Sequence, residues 1–229
     1  MLTEPTTLRV LYTASLGGRL AVLPKLMTAI RQERATSAGP ALLVDLGRSC
    51  AADTWICKAT DGRGMLVAMD AMGYDAFHIG AADPLYTQPG IVSQLRDVIQ
   101  TPLAAGPWSG VVRRTGMVFG FAARFDVRPA TDDPLDLMIA LQLSKYAQST
   151  VDYDGQLRTL LLDNGLTNEP DPMLGRLDIA MTAEPPYIQI LSQTQSPIAA
   201  DLLPDQTIVS VIEFVESEAR YVERKRGIS

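Results

Sequence analysis

The side chains with the most chemical capacity in this sequence fall in two short stretches, Ser15-Leu16-Gly17-Gly18-Arg19 and Arg48-Ser49-Cys50. Adjacent glycines let backbone amides approach a ligand, and two guanidinium groups add fixed positive charge. Ser15, Gly17, Gly18, Arg19, Arg48 and Ser49 therefore form a candidate metal-free anion pocket for a phosphate, nucleotide or carboxylate. Glycines also fill ordinary turns, and loops that have simply drifted in sequence are the competing reading. Cys50 lies close to Arg48, a neighbour that would lower a thiol pKa and favour a nucleophilic thiolate. A small buried cysteine is the plainer account.

His78 is the single histidine of the chain and sits in the apolar run Phe77-His78-Ile79, as a satisfied core or edge residue would. Asp45 and Asp83 read as hydrogen-bond acceptors for loop amides. Trp55, Tyr86 and Trp108 suit a pocket wall and a core equally well.

The elements that must position these groups alternate between strand and helix. Leu8–Tyr12 is a short β-rich run, followed over 21–34 by apolar Leu23, Leu26, Met27 and Ile30 at helical spacing. Residues 41–44 form a buried-type strand closed by Gly47; 64–72 form an apolar helix stopped by Gly73, with Met65, Met69 and Met72 facing a core. A strand over 76–79 comes next. The alternation predicts βαβ units with parallel pairing. On that arrangement residues 15–19 and 48–49 converge at the ends of neighbouring strands, the usual ligand edge of an α/β sheet.

Further along, 84–89 reads as a loop, 91–99 as a helix and 102–110 as a loop. Residues 111–113 and 117–122 pair as a hairpin across Arg114-Thr115-Gly116. Asp132-Asp133-Pro134 caps a helix running from Leu135 to about Tyr146. Strands over 157–162 and 177–181 flank a turn-rich stretch, 164–175. Alternation at Ile188 and Ile190, and again over 208–214, predicts antiparallel strands with one buried face. The basic run Arg220 to Arg226 reads as a solvated helix end. No repeat or long linker divides the 229 residues, so a single domain spans 1–229, with a basic tail at about 219–229.

A chain of this length buries roughly 70–75% of its unfolded surface and needs no staples. Its net charge of −6 disfavours nucleic acid and anionic membranes as partners. Two cysteines, Cys50 and Cys57, make neither a disulfide framework nor a structural zinc site, and a reducing cytoplasm fits them best. The short polar start carries no signal-peptide pattern, and no apolar run reaches the roughly 20 residues of a membrane helix.

Several anchors in order resemble the 5′-nucleotidase branch of the calcineurin-like metallophosphatases. Leu8 to Leu20 is similar to that family's opening strand and loop, where an Asp and a His bind metal; here the places read Ser15 and Gly17. Ala41 to Arg48 is similar to a strand ending in Asp-x-Gly-Asp, but the last Asp, which bridges the metals, is Arg48. Met65 to Ile79 resembles the stretch before Gly-Asn-His-Glu, which here reads Gly80-Ala81-Ala82-Asp83. Gly116 to Phe121, Met138 to Leu143 and Leu177 to Glu184 resemble later strands of the pattern, the last two without the family's histidines.

The resemblance implies an α/β sandwich of two mixed β-sheets flanked by helices. It also implies a centre in which carboxylates and imidazoles hold two cations about 3.5–4 Å apart. A guanidinium at the bridging place opposes any divalent cation. The expectation is a metallophosphatase-like protein with no catalytic residues, no metal and no cofactor, acting as a binding or scaffold protein. The alternatives are a metal-free anion or nucleotide binder at the same loops, and a hydrolase with relocated chemistry at Cys50. A protein partner, a small anionic ligand and a homo-oligomer all fit.

Overall fold

Alternating burial along the first strands sets the layers of the protein. A computed structural model describes residues 5–80, 83, 90–106, 109–124, 126–144, 149–165 and 172–227. In β1 (Thr6–Thr13), Leu11 points into one apolar core while Leu8, Val10 and Tyr12 enter a second. In β2 (Ala41–Asp45), Leu43 joins the first core and Leu42 and Val44 the second. A strand with apolar side chains on both faces must be covered on both, and this one is.

The first sheet is completed by β3 (Ala76–His78), β4 (Leu103–Ala104), β10 (Met173–Met181) and β11 (Ile188–Pro197). Its order is β11-β10-β1-β2-β3-β4. β1 to β4 run parallel, whereas β10 is antiparallel to β1 and β11 antiparallel to β10. The second sheet is formed by β5 (Ser109–Arg114), β6 (Met117–Ala122), β7 (Leu137–Ser144), β8 (Thr150–Tyr153) and β9 (Arg158–Gly165), in the order β5-β6-β7-β9-β8. There β6, β7 and β9 are parallel, with antiparallel β5 and β8 at the edges. The sheets face each other across Val10, Tyr12, Val44, Phe119, Ile139 and Leu160 among others.

The helices α1 (Leu23–Ala35), α2 (Trp55–Thr60), α3 (Arg63–Ala71), α4 (Ile91–Arg96) and α5 (Gln206–Arg226) all contribute to the core on the outer face of the first sheet. Leu23, Leu26, Met27 and Ile30 of α1 are buried there, as are Met65, Met69 and Met72. The sandwich of two mixed sheets flanked by helices is thus the observed architecture. Asp75, just before β3, ties the sheets together: one carboxylate oxygen accepts the Leu43 amide at 2.8 Å and the other pairs with Arg114 at 2.5 Å.

Three expectations are corrected. The helix expected from Leu135 is strand β7, because Leu137, Ile139 and Leu141 fill the inter-sheet core while Met138 packs on the far face. A continuous apolar run buried on both sides has no period to distinguish it from a helix. The strand expected over 208–214 is part of α5. Asp205 caps it through bonds from the Thr207 and Ile208 amides, and Ile208, Val211, Ile212, Val215 and Ala219 recur on one helical stripe. The stretch 102–110 holds β4 and the start of β5 rather than loop alone. The expected loop 84–89 lies outside the described residues, as does 166–171 of the turn-rich stretch; the rest of that stretch belongs largely to β9 and β10.

The hairpin forms as expected, with Thr115 (φ 49°) and Gly116 (φ 81°) between the paired ends Arg114 and Met117. Two consecutive positive φ values are those of the type I′ turn that matches strand twist.

Candidate functional site

The parallel pairing of β1 and β2 does not stop where the sheet ends. The Leu46 amide donates to Thr13 O at 2.8 Å, Ser15 N to Gly47 O at 2.9 Å, Gly17 N to Arg48 O at 3.0 Å and Gly18 N to Ser49 O at 2.8 Å. This ladder zips loop 14–19 onto loop 46–49. It demands left-handed backbone at Ser15 (φ 56°), Gly17 (62°), Gly18 (80°), Gly47 (106°) and Arg48 (58°). Ser15 and Arg48 hold it with a side chain, a conformation that costs about 1–3 kcal/mol and persists only when surroundings over-determine it.

The surroundings do so. Arg19 turns back on its own loop, donating from Nε to Leu16 O (2.9 Å) and from Nη2 to Ser15 O (2.8 Å). Thr54 Oγ1 donates to Gly17 O at 2.8 Å. The Arg48 amide donates to Asp83 Oδ2 at 2.9 Å. A disulfide joins Cys50 to Cys57 on α2. Gly18 lies so close to that bridge that a Cβ there would stand 2.8 Å from Cys57 Sγ and 2.7 Å from Thr54 Cγ2.

Beneath the ladder is a buried polar cluster. Asp45 accepts from Thr13 Oγ1 (2.8 Å) and from the Gly47 amide (3.0 Å), and Thr13 Oγ1 also meets the Tyr74 hydroxyl at 3.0 Å. Burial pushes the Asp45 carboxyl well above the usual range, against the opposing Thr13 bond. Burial also raises Asp83, to about 6, although its bond from Arg48 and the Arg48 charge pull the other way. Asp83 Oδ1 has no hydrogen-bond partner among the described residues. His78 places Nδ1 2.9 Å from Leu46 O, and burial lowers its pKa despite that bond, so the ring is neutral near pH 7.

A second convergence lies at the neighbouring strand ends. Gln193 of β11 donates from Nε2 to the Tyr12 hydroxyl (3.1 Å) and to Asp163 O (3.2 Å), joining the C-terminal ends of β1 and β9. Gly175 makes room for the Tyr12 ring, which a Cβ at that position would meet at 2.1 Å.

No family model matches this sequence, and no curated protein matches it. Solved structures do. The calcineurin-like phosphoesterase YfkN from Bacillus subtilis superposes with a TM-score of 0.61 at 14% identity, over 96% of this chain and 99% of that one. The sulfate thiohydrolase SoxB of Thermus thermophilus superposes at 0.58 with 10% identity, over 95% of this chain; the chain spans 61% of SoxB. The chain has the calcineurin-like phosphoesterase fold.

Within that phosphoesterase fold, Ser15 and Gly17 lie on the loop after β1 and Arg48 on the loop after β2. The donor set there does not fit a pair of metal ions. Both oxygens of Asp45 are taken by Thr13 and Gly47, and one oxygen of Asp83 by the Arg48 amide. Among the described residues no group of three or more His, Cys, Asp or Glu could hold a metal ion.

Ser15, Gly17, Gly18, Arg19, Arg48 and Ser49 are all brought together. The Gly17 and Gly18 amides, however, are bonded to carbonyls, and Ser49 is buried. Asp45 and Asp83 bind loop amides, as their place beside apolar strands implies. The thiolate reading of Cys50 is corrected: its sulfur is in the disulfide and its side chain is buried, so it is no nucleophile in this state. Trp55 belongs neither to the core nor to this site. Its Nε1 donates to Glu223 at 2.7 Å and Arg220 lies over the ring, tying α2 to α5. Tyr86, Trp108, Ala81 and Ala82 lie outside the described residues.

One anchor is displaced. Leu177 to Glu184 runs along β10, and the register pairs Met181 with Thr6, so its C-terminal end lies at the edge opposite the ladder. The strand that does end near Tyr12 is β9, with Asp163. Sequence reasoning misses the Thr13–Asp45–Tyr74 cluster and the Gln193 bridge. A polar residue closing an apolar strand, as Thr13 and Asp45 do, is the available signal for the first; nothing local pairs Gln193 with Tyr12.

Proposed function

We propose that this protein is a metal-free, non-catalytic relative of the calcineurin-like phosphoesterases that works by binding, as a scaffold or partner protein. The observation that carries the reading is Arg48. The sequence resemblance assigns it to the bridging-carboxylate place of the family pattern, and its left-handed backbone is held by the Asp83 carboxylate. A loop built to present cations to a substrate has no use for a permanent positive charge there. The test is hydrolysis of phosphomonoesters and phosphodiesters with manganese, zinc or magnesium. Turnover that rises with metal and survives Arg48→Ala would end the proposal.

A second reading keeps the loops as an anion site, with Arg48 as its positive group and Ser15 and Arg19 beside it. Its support is the partial exposure of Arg48 beside the ladder. Thermal-shift measurements against inorganic phosphate, nucleotides and small carboxylates decide it: a rise in Tm that Arg48→Ala abolishes supports the site, and no rise removes it. The partner under the first reading is a protein or a second copy of the chain. No helix among the described residues is long and apolar enough to cross a membrane. A cytoplasmic location agrees poorly with a disulfide, a bond that forms and persists in oxidising compartments.

A further inference from the structure

The two loops that meet in the ladder are joined by hydrogen bonds to one another and cross-linked to the helical layer by one disulfide. Cys50 follows Ser49, whose carbonyl receives the Gly18 amide, and its bridge to Cys57 anchors that segment to α2. Three contacts converge on the same spot. Gly18 lies flush on Cys57 Sγ, Thr54 from the segment between the two cysteines holds Gly17 O, and the Gly17 amide returns to Arg48 O. The bridge therefore encloses the seven-residue step that carries Thr54, and Gly18 is seated against it. The strained backbone at Ser15 and Arg48 favours release whenever these ties weaken.

We propose that the Cys50–Cys57 disulfide is a redox latch that keeps loops 14–19 and 46–49 zipped, and that its reduction by a dithiol frees the Gly17 and Gly18 amides. The step is thiol–disulfide exchange. A thiolate of the reductant attacks Cys50 Sγ, the sulfur of the less deeply buried cysteine, and Cys57 leaves as thiolate and takes a proton. The reductant's second thiol then displaces Cys50, so the protein gains two electrons and two protons and the dithiol becomes a cyclic disulfide. Cys50 is 5% exposed and Cys57 is fully buried, so the exchange follows transient opening of the loop and is slow in the folded protein. The inference stands apart from whether the protein is catalytic, since it concerns only how the loops are held.

The test is amide hydrogen exchange on the full chain, air-oxidised and after incubation with dithiothreitol, with alkylation and intact mass recording the thiol state. Oxidised protein is expected to show no alkylated cysteine in denaturant, with Gly17 and Gly18 protected. After reduction those amides exchange about tenfold faster or more, while Leu42 to Val44 in β2 hold their protection. The Cys50→Ser, Cys57→Ser double variant is expected to match the reduced chain; the reduced wild type supplies the same measurement should the variant fail to fold. Two alkylated thiols in the air-oxidised chain, or unchanged exchange at Gly17 and Gly18 after full reduction, would overturn the proposal.

Discussion

Asp83 Oδ2 accepts the backbone amide of Arg48 at 2.9 Å, and this bond fixes a residue that carries a side chain at φ 58°. The other oxygen of Asp83 is buried without a hydrogen-bond partner among the described residues. One carboxylate thus holds the loop that defines the site while itself bearing a burial cost, and the balance depends on pH.

The sign follows from linkage. Burial lifts the Asp83 carboxyl to about 6 in the folded chain, above its ordinary value, so folding takes up a proton there. The associated stability is complete below about pH 4 and is lost as pH rises through about 6. A tenfold change in proton affinity corresponds to about 1.4 kcal/mol, so the loss is on the order of 2–3 kcal/mol. Urea unfolding of wild type and Asp83→Asn from pH 4 to 8 is expected to show a difference that moves toward the variant as pH rises. A pH-independent difference would refute this.

Gly18→Ala places a Cβ 2.7–2.8 Å from Thr54 and Cys57 at φ +80°. Gly73→Ala meets nothing within 4 Å at φ +74°. Both changes incur the left-handed penalty of about 1 kcal/mol, and Gly18→Ala adds overpacking of about 1–3 kcal/mol. Equal losses in denaturant midpoints would show that Gly18 is not pressed against the bridge.

Asp205→Ala removes the side-chain acceptor for the Thr207 and Ile208 amides and the partner of Arg31. The cap alone accounts for about 1–2 kcal/mol of stability. Circular dichroism and urea unfolding should show that loss, with faster exchange confined first to the opening turn of α5. No loss would contradict the helix that replaces the strand expected over 208–214.

Gly175→Ala drives a methyl into the Tyr12 ring, at 2.1 Å from Cε2, on a paired strand that cannot move aside. A loss of about 2–4 kcal/mol is expected, and Tyr12→Leu in the same background should recover part of it. A neutral Gly175→Ala would mean that β1 and β10 are not in this register.

What can be read from the sequence follows from where information is local. Leu23, Leu26, Met27 and Ile30 announce α1 by spacing, and Thr115-Gly116 announces the hairpin by backbone freedom. Asp45 and Asp83, polar residues beside apolar runs, point to loop amides and bind them. Met138 to Leu143 reads both as helix and as a strand of the resemblance; burial on both faces erases its period, and the strand is right. In α5, Ser210 and Glu213 interrupt the apolar run over 208–214 as the polar face of a strand would, and only the stripe continuing to Val215 and Ala219 shows the helical period. The ladder is illegible because it is built from backbone amides, to which residue type contributes only permission. The Cys50–Cys57 bridge needs the position of α2, a helix whose six residues leave little pattern.

The central claim is tested most directly by calorimetric titration of the protein, freed of metal by chelation, with manganese and zinc, comparing wild type with Arg48→Asp. No saturable binding to the wild type at micromolar concentrations is expected. Stoichiometric binding of two ions per chain, weakened by Asp45→Asn or Asp83→Asn, would contradict the account.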